Sequence, residues 1–255
     1  MQLTLVSHYG PKPAAFEKKI RLLQSMLAEQ LGNGFKPYAV EQVHGTIIGL
    51  EGARVGTQIR NENFRRLRGT ERVIDIRGLL RFLRTWAEPD WNVRLGGFDP
   101  TRDHGFISAG QHPFARSFSV RDEIAVAMGW PHCSGVFVPS LDKLRREFQQ
   151  FGALHKWHQR ESDVDNDFFF VLGRLQPDVE PTRRDAAQES LRRHLASAPL
   201  LLPMSRHTFC FVAYHDPQLP PATSQVFKLN DERVTGGVLA DIYDDCTAGP
   251  DGAAI

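Results

Sequence analysis

The chain has 255 residues, of which 41% are hydrophobic and 24% are charged. These proportions are typical of a globular protein that buries a sizeable core, and they exclude a disordered or collagen-like chain. The 31 basic and 30 acidic residues leave a formal charge of +1. No chain-wide field therefore attracts the protein to nucleic acid or anionic lipid, and any such contact must be local.

The ends and the cysteines indicate the compartment. The first ten residues, MQLTLVSHYG, have neither a basic leader nor a long apolar run, and no apolar stretch in the chain approaches the length of a membrane span. Cys133, Cys210 and Cys246 are odd in number, widely spaced and without a CxxC pair, which argues against a disulfide framework or a zinc finger. The sequence predicts a cytoplasmic protein.

The first third of the chain predicts a strand, a helix and a second strand. Residues 2–6 are the first strand, and 38–52 (YAVEQVHGTIIGLEG) are the second. Between them, residues 11–34 predict a helix that prolines precede and Gly32 and Gly34 follow. Apolar residues recur at helical spacing in that stretch: Phe16, Ile20, Leu23, Leu27 and Leu31.

The remaining elements alternate in a similar way. Helices are predicted over 72–86, with Asp75 as a cap, over 140–152, with Ser140 at its start, and over 181–198. The predicted strands are 91–98, 114–120, 123–131, 166–175 and 207–216. Because the strand–helix–strand order of the first third recurs over 123–175, we expect an α+β fold of two facing lobes. Residues 1–243 would form a single bilobal domain, and 244–255 a flexible tail.

A histidine and a threonine lie in the middle of the second predicted strand. Strand side chains alternate between faces, so His44 and Thr46 would project together, roughly 6–7 Å apart along the strand, with Ile48 and Leu50. An imidazole can donate or accept a proton while a hydroxyl binds a non-bridging phosphate oxygen. The alternative is a buried histidine bonded to the backbone, with Thr46 present for its β propensity.

The His-x-Thr strand, in this place, resembles the two-histidine phosphoesterases, the LigT-like superfamily that includes 2′,3′-cyclic nucleotide phosphodiesterases. GWP at 129–131 and VLGRL at 171–175 stand where family members often carry similar residues. The resemblance implies a two-lobed fold, with two antiparallel or mixed sheets flanked by helices around a central cleft. It also implies two facing His-x-Thr/Ser motifs, one acting as base and the other as acid, without a metal or other cofactor. The first motif is His44 and Thr46.

The second motif departs from the family pattern. Its expected strand is DFFFVLGRL, residues 167–175, where aligned glycines place Phe168 and Phe170 at the motif positions. Sliding by one residue places Phe169 and Val171 there instead. A phenyl ring cannot protonate a leaving oxygen, so another histidine would have to replace the missing one. His158 and His155, spaced i, i+3 on one face of a helix that extends that far, are the first candidates, and His112 is the next.

These residues give a leading hypothesis: a LigT-like phosphoesterase that binds or hydrolyses a cyclic or linear phosphodiester of a nucleotide or RNA. His44, with a pKa near neutrality, would be the acid or base, and Thr46 would hold the phosphate. Arg116 would balance the phosphate charge. Substrate contacts are predicted from Arg116, His112 and Ser117, in a loop and strand that also contain His104 and Ser119. Phe168 and Phe170 would be core residues or a base-stacking platform.

Two rival hypotheses belong to other classes of protein. The first is a non-catalytic nucleotide- or RNA-binding module that keeps the pocket without a second proton-transfer group. The second is a metal-dependent hydrolase whose imidazoles and carboxylates would come from His155, His158, Asp163, Asp165 and Asp167. A run of five arginines over residues 60–72 is either a solvated face or a surface that steers phosphates. The protein is expected to be a monomer with no membrane partner.

Overall fold

The computed structural model describes residues 1–87 and 89–246. Its strands are β1 (Gln2–Ser7), β2 (Phe35–Pro37), β3 (Gly45–Gly49), β4 (Gly52–Val55), β5 (Gln58–Asn61), β6 (Asn92–Leu95), β7 (Phe118–Arg121), β8 (Ile124–Cys133), β9 (Val136–Phe137), β10 (Phe168–Leu175), β11 (Leu200–Pro203), β12 (Phe209–Tyr214) and β13 (Gln225–Lys228). Its α-helices are α1 (Ala14–Leu31), α2 (Glu62–Arg68), α3 (Ile76–Thr85), α4 (Pro113–Arg116), α5 (Ser140–Glu147), α6 (Pro181–Ser197) and α7 (Gly236–Asp241).

The α+β class is confirmed. Over the described residues the strands form one large antiparallel sheet, ordered β11-β6-β8-β10-β3-β1-β12-β13, and a small second sheet, the hairpin β4–β5. β7 and β9 pair with β8, and β2 pairs with β10. No helix in the described part of the chain has the length and apolar character that crossing a membrane requires.

The helix α1 forms where its apolar spacing predicts. Its buried residues include the five predicted ones: Phe16, Ile20, Leu23, Leu27 and Leu31. Pro13 precedes the first turn, and Gly32 ends the helix with a left-handed φ of 57°. In α3 the Asp75 carboxylate accepts a hydrogen bond from the Gly78 N–H at 2.8 Å, as the predicted cap requires. α1 packs beside α6, so both helices cover the same part of the sheet.

The predicted strand 38–52 is shorter in the structure. Val40–Gln42 form a 3-10 turn, and β3 begins only at Gly45, so His44 lies immediately before the strand. A β-bulge follows, because Leu5 of β1 pairs with Ile48 while Val6 pairs with Thr46. Ile47 is the extra residue, and both isoleucines are buried in the main core. The prediction that Ile48 shares a side with His44 and Thr46 is therefore wrong.

Two other segments differ from their sequence predictions. The first part of the predicted strand 114–120 is a helical turn, α4, which Pro113 begins at its first position. A 3-10 helix, Ile242–Cys246, also overlaps the first three residues of the expected tail, 244–255. Just before the tail, Leu239 and Tyr243 are fully buried in the main core. The rest of the expected tail, 247–255, lies outside the described residues.

Candidate functional site

The sheet face that carries the His-x-Thr pair follows from the position of Gly45. A Cβ on Gly45 would lie 1.7 Å from the Phe168 ring, so Gly45 and Phe168 share the side that the main core covers. We call this side the helix face. Adjacent strand residues alternate, so Thr46 points to the opposite side, which we call the motif face.

The strand register brings four side chains together on the motif face. Phe170 of β10 pairs with Gly45 of β3 in an antiparallel ladder. Along the antiparallel strands, Phe169 then lies on the Thr46 side of this pair and Val171 on the His44 side. Because side chains alternate, the neighbours of the paired residues all point to the motif face. All four are partly exposed, and we call them the motif patch: His44, Thr46, Phe169 and Val171.

The His44 ring has a defined protonation state. Its Nδ1 lies 2.6 Å from the Gln42 carbonyl oxygen, which accepts a hydrogen bond from an Nδ1–H. The Tyr9 ring packs edge-on against it, with ring centroids 5.6 Å apart. Burial, with a smaller contribution from the nearby Lys12 cation, lowers the pKa of His44 to about 4, although the Gln42 bond opposes this. This pKa is below the near-neutral value expected from the sequence. At neutral pH, Nε2 is an acceptor.

The loop after β1 supplies groups that the sequence reasoning missed. The Lys12 ammonium donates to the carbonyl oxygens of His8 at 2.7 Å and of Gly10 at 3.1 Å. Burial lowers the pKa of Lys12 to about 8, against the opposing effect of Glu41. His8 has a left-handed φ of 60° and is buried. Burial, and then Lys12, lower the pKa of His8 to about 4. The only signal in the sequence is the short polar and proline-rich stretch HYGPKP after a strand.

The strands β3 and β10 separate beyond their single paired position, and Arg145 of α5 occupies the gap. Its guanidinium donates to the carbonyl oxygens of Ile47 and Thr46, each at 2.9 Å, on one side. On the other side it donates to those of Asp165 at 3.0 Å and Asp167 at 3.3 Å. The side chain is 1% exposed. Arg145 therefore joins the two halves of the sheet through backbone groups that would otherwise be buried without a partner.

The histidines proposed to replace the missing one do not lie on a helix. His155 and His158 follow the end of α5 in a loop, and both are buried. The His155 Nε2 lies 2.8 Å from Asp165 Oδ2, and the His158 Nε2 lies 2.9 Å from Asp142 Oδ1. Burial, and then the Arg145 cation, lower the pKa of His155 to about 3 despite the Asp165 bond. Both imidazoles stabilise the loop through their bonds to these carboxylates, and neither belongs to the motif patch.

These carboxylates and imidazoles also do not assemble as metal ligands. Among the described residues, no group of three or more His, Cys, Asp or Glu side chains converges as an ion would require. Asp163, the remaining member of the predicted set besides Asp167, hydrogen-bonds to Arg160. The predicted metal set is instead divided among separate pairs.

Arg116 does not balance a ligand charge in the predicted way. It is 1% exposed, and its Nη2 lies 2.5 Å from Asp167 Oδ2. The buried ion pair neutralises the cation. Ser117 is buried and donates to the Phe114 carbonyl oxygen at 2.7 Å. His112 caps α4: its Nδ1 accepts from the Phe114 N–H at 3.1 Å. The predicted substrate contacts of Ser117 and His112 are therefore occupied by local structure.

The prediction of Phe168 and Phe170 as ligand-binding residues is corrected by their burial. Both rings are 0% exposed and belong to the main core, where Phe170 packs edge-on against Phe16 at 5.0 Å. A ring enclosed on all sides cannot stack on a base. The partly exposed aromatic residue of β10 is their neighbour Phe169. Alternation along the strand therefore puts Phe169 and Val171, the residues of the shifted alignment, on the motif face.

The arginine-rich segment forms α2 and its flanks. Arg60 pairs with Glu71, Arg65 pairs with Glu62, and Arg68 donates to the His158 carbonyl oxygen at 2.9 Å. Because these arginines already have partners on the same surface, the positive field with which they would steer phosphates is reduced.

A cavity of about 480 Å³ adjoins the motif patch at Phe169. Aromatic side chains make up much of its lining: Phe106, Trp130, Phe137, Trp157 and Phe169. Phe106 and Phe137 stack with centroids 4.1 Å apart and an interplanar angle of 9°. The Arg116–Asp167 pair lies in its wall. The cavity therefore continues the motif patch along the same sheet face, since Phe169 belongs to both.

Comparison with known proteins gives little more than a loose structural likeness. No family model matches the chain, and no curated protein matches it. A similar solved structure is the crystal structure of TT0787 of Thermus thermophilus, with 16% sequence identity and a TM-score of 0.41. The match covers 91% of this chain and 100% of that one. At this level of similarity no function is transferred.

Proposed function

We propose that the protein binds a ribonucleotide or an RNA phosphodiester at the motif patch, as a phosphoesterase-like module that lacks the second catalytic histidine. The observation that carries this proposal is the register of β3 and β10. The single Gly45–Phe170 pair leaves the partly exposed His44 and Thr46 on the same face of the sheet as Phe169 and Val171, the positions where a two-histidine enzyme would need its second imidazole.

Each group at the patch has a chemistry suited to part of such a ligand. The Thr46 hydroxyl can donate to a non-bridging phosphate oxygen, and the Lys12 ammonium supplies positive charge beside His44. The neutral His44 ring donates from Nδ1 to Gln42, so its Nε2 can accept a proton from a ligand hydroxyl. A ribose 2′-hydroxyl next to the phosphate is such a donor, and it is the group by which proteins distinguish RNA from DNA.

The same features favour binding over hydrolysis. A two-histidine mechanism needs one imidazole to donate a proton to the leaving oxygen while the other accepts one. His44, with its pKa lowered to about 4, is a poor donor at neutral pH. The side chains of Phe169 and Val171 on the same face transfer no protons. Hydrolysis remains the second candidate, because a neutral imidazole beside a phosphate-binding hydroxyl can still act as a base.

Calorimetric titration of the purified protein tests this proposal. The ligands are a 2′,3′-cyclic nucleotide, a linear diribonucleotide and its deoxy counterpart, and each mixture is analysed afterwards for products. We expect binding without turnover, and a weaker complex with the deoxy dinucleotide. The change His44→Ala should weaken the diribonucleotide complex by about 1 kcal/mol, the contribution of a hydrogen bond.

The control is His207→Ala, which removes an exposed histidine of the 3-10 helix Arg206–Thr208, outside the motif patch. Its affinity should equal that of the wild type. Turnover that disappears with His44→Ala would establish the hydrolase instead. Absence of binding to all three ligands, or equal affinities of the wild type and His44→Ala, would contradict the proposal.

A further inference from the structure

One wall of the aromatic cavity is a cyclic hydrogen-bond network around one carboxylate. Asp167 accepts from Arg116 Nη2 at 2.5 Å, from Trp130 Nε1 at 2.7 Å and from the Ser108 hydroxyl at 2.6 Å. Arg116 Nε in turn donates to the Ser108 oxygen at 3.2 Å. The ion pair leaves this wall without net charge, which disfavours an anionic group there and suits an uncharged ligand.

One donor of this network has no acceptor. Arg116 is 1% exposed, and its Nη1 makes no hydrogen bond within the described part of the protein. Nearly all buried polar groups in folded proteins are hydrogen-bonded, and a guanidinium N–H that is not bonded is destabilising. Arg116 lines the cavity, so a small movement of its guanidinium toward the cavity would let a carbonyl oxygen or a ring nitrogen of a ligand supply the missing acceptor.

The walls of the cavity favour a flat ring. Phe106 and Phe137 are stacked on each other, and Phe169 connects the cavity with the motif patch. At the rim, Trp157 is 48% exposed and Ile107 is 72% exposed. Apolar surface of this extent beside a cavity is typical of a binding site. The volume of about 480 Å³ is sufficient for a base and its sugar.

We propose that this cavity binds the nucleobase of the ligand, stacked on its aromatic walls and with a carbonyl oxygen or ring nitrogen bonded to Arg116 Nη1. This inference rests on the proposed function, because the phosphate of the same ligand would lie at Thr46 and Lys12. The cavity would bind a base that presents an acceptor toward the Arg116–Asp167 pair more tightly than a ring of equal size without an acceptor.

Tryptophan fluorescence tests the cavity separately from the phosphate site. The probes are deoxyuridine and deoxyguanosine, which have neither a phosphate nor a 2′-hydroxyl, and a phenyl C-deoxyriboside, which has a ring without an acceptor. We expect the deoxynucleosides to quench the emission of Trp130 and Trp157 and to bind more tightly than the phenyl compound. The change Trp157→Ala should weaken them roughly tenfold, the usual effect of removing one stacking partner. Because this variant also removes an emitter, its affinities are measured by calorimetry.

The control variant is Leu201→Ala, which removes a similarly exposed apolar side chain, 57% accessible, from β11. It should leave the affinities unchanged. In Arg116→Lys, which keeps the positive charge but loses Nη1, the deoxynucleosides should bind no better than the phenyl compound. A thermal melt establishes that this variant is folded. If it is not, the comparison of the deoxynucleosides with the phenyl compound on the wild-type protein decides the role of the acceptor.

Three results would overturn the inference: no binding of the deoxynucleosides, equal affinity for the phenyl compound, or unchanged affinity in Trp157→Ala. The measurements distinguish a failure of this inference from a failure of the proposed function. Weaker diribonucleotide binding in His44→Ala, together with no deoxynucleoside binding, keeps the phosphate site and removes the base site. Deoxynucleoside binding that a phosphodiester does not strengthen, and that His44→Ala does not change, keeps the cavity and removes the proposed function.

Discussion

The Phe168 ring lies over Gly45 at the position where a side chain on residue 45 would begin, 1.7 Å from the ideal Cβ. Gly45 is the β3 member of the single pair at which β3 and β10 meet, and Phe168 lies two residues before its partner Phe170. The ring therefore closes the core beneath the motif patch, and the absence of a side chain at residue 45 lets the two strands approach.

The change Gly45→Ala tests this contact. Because neither the buried ring nor the backbone can withdraw, we expect a loss of about 1–3 kcal/mol in the free energy of unfolding, measured by urea denaturation. Gly49→Ala is the matched control in the same strand, since the three atoms nearest to its Cβ all belong to the carboxyl end of the Glu51 side chain. The double variant Gly45→Ala/Phe168→Leu should recover part of the loss. Strictly additive effects would contradict the proposed contact.

Stability should depend on pH through His8. Burial lowers its pKa to about 4 in the folded state from the usual 6.5, so the unfolded chain takes up a proton that the folded one does not. The stabilisation is complete above pH 6.5 and is lost as the pH falls toward 4, by about 1.4 kcal/mol per pH unit within that window.

Urea denaturation at several pH values between 7 and 4.5 measures this slope. The change His8→Asn keeps a residue that tolerates a left-handed φ and removes the titrating group. Its slope should be smaller by the amount that His8 contributes. The buried His155, whose pKa is lowered to about 3, adds a slope of the same sign that remains in the variant. Identical slopes in both proteins would show that His8 does not cause the acid sensitivity.

Ligand binding should decline in mildly alkaline solution. With the pKa of Lys12 lowered to about 8, its positive charge is present at pH 7 and largely lost at pH 9. A 2′,3′-cyclic phosphodiester does not titrate in this range, so its affinity reports the protein alone. We expect it to weaken severalfold between these two pH values. In Lys12→Arg, which stays charged, the decline should disappear. A decline that persists in this variant would assign the effect to another group.

Removal of the Arg145 guanidinium should destabilise the sheet. In Arg145→Lys the charge remains, but an ammonium cannot reach both strands with the planar arrangement of donors that four carbonyl oxygens accept here. We expect a loss of about 3 kcal/mol or more in the free energy of unfolding. Arg193→Lys, at an exposed position of α6, should change it by less than about 0.5 kcal/mol. Similar losses in both variants would remove the special role of Arg145.

The sequence predicts regular elements well and three-dimensional neighbours poorly. The spacing of Phe16, Ile20 and Leu23 is a local property of a helix, and it is sufficient to place α1. By contrast, the bulge at Ile47 depends on pairing with β1, and it reverses the side that Ile48 faces. Alternation in β10 is visible in the sequence, but which alternate residues are buried depends on the helices that cover them.

The candidate site could be predicted from the sequence only in part, for the same reason. His44 and Thr46 were identified because they are close in sequence, and the structure leaves both partly exposed. Lys12 lies beside His44 although it is more than thirty residues away in the sequence. Arg145 contacts Thr46 although it is about a hundred residues away, so no local sequence pattern could indicate either neighbour. The lowered pKa of His44 likewise follows from enclosure by the fold, which sequence spacing does not describe.

The guanidinium of Arg145 keeps its proton at every physiological pH, and the peptide oxygens that it joins do not titrate. The loop that contains His155, in contrast, encloses an imidazole whose pKa burial lowers to about 3, so an opened loop takes up a proton that the folded one does not. A fall in pH below 6.5 should therefore open this loop first while the two halves of the sheet stay together. Amide hydrogen exchange would then accelerate over residues 153–165 before it does so in β3 and β10, and the protein would lose its order in two stages instead of one.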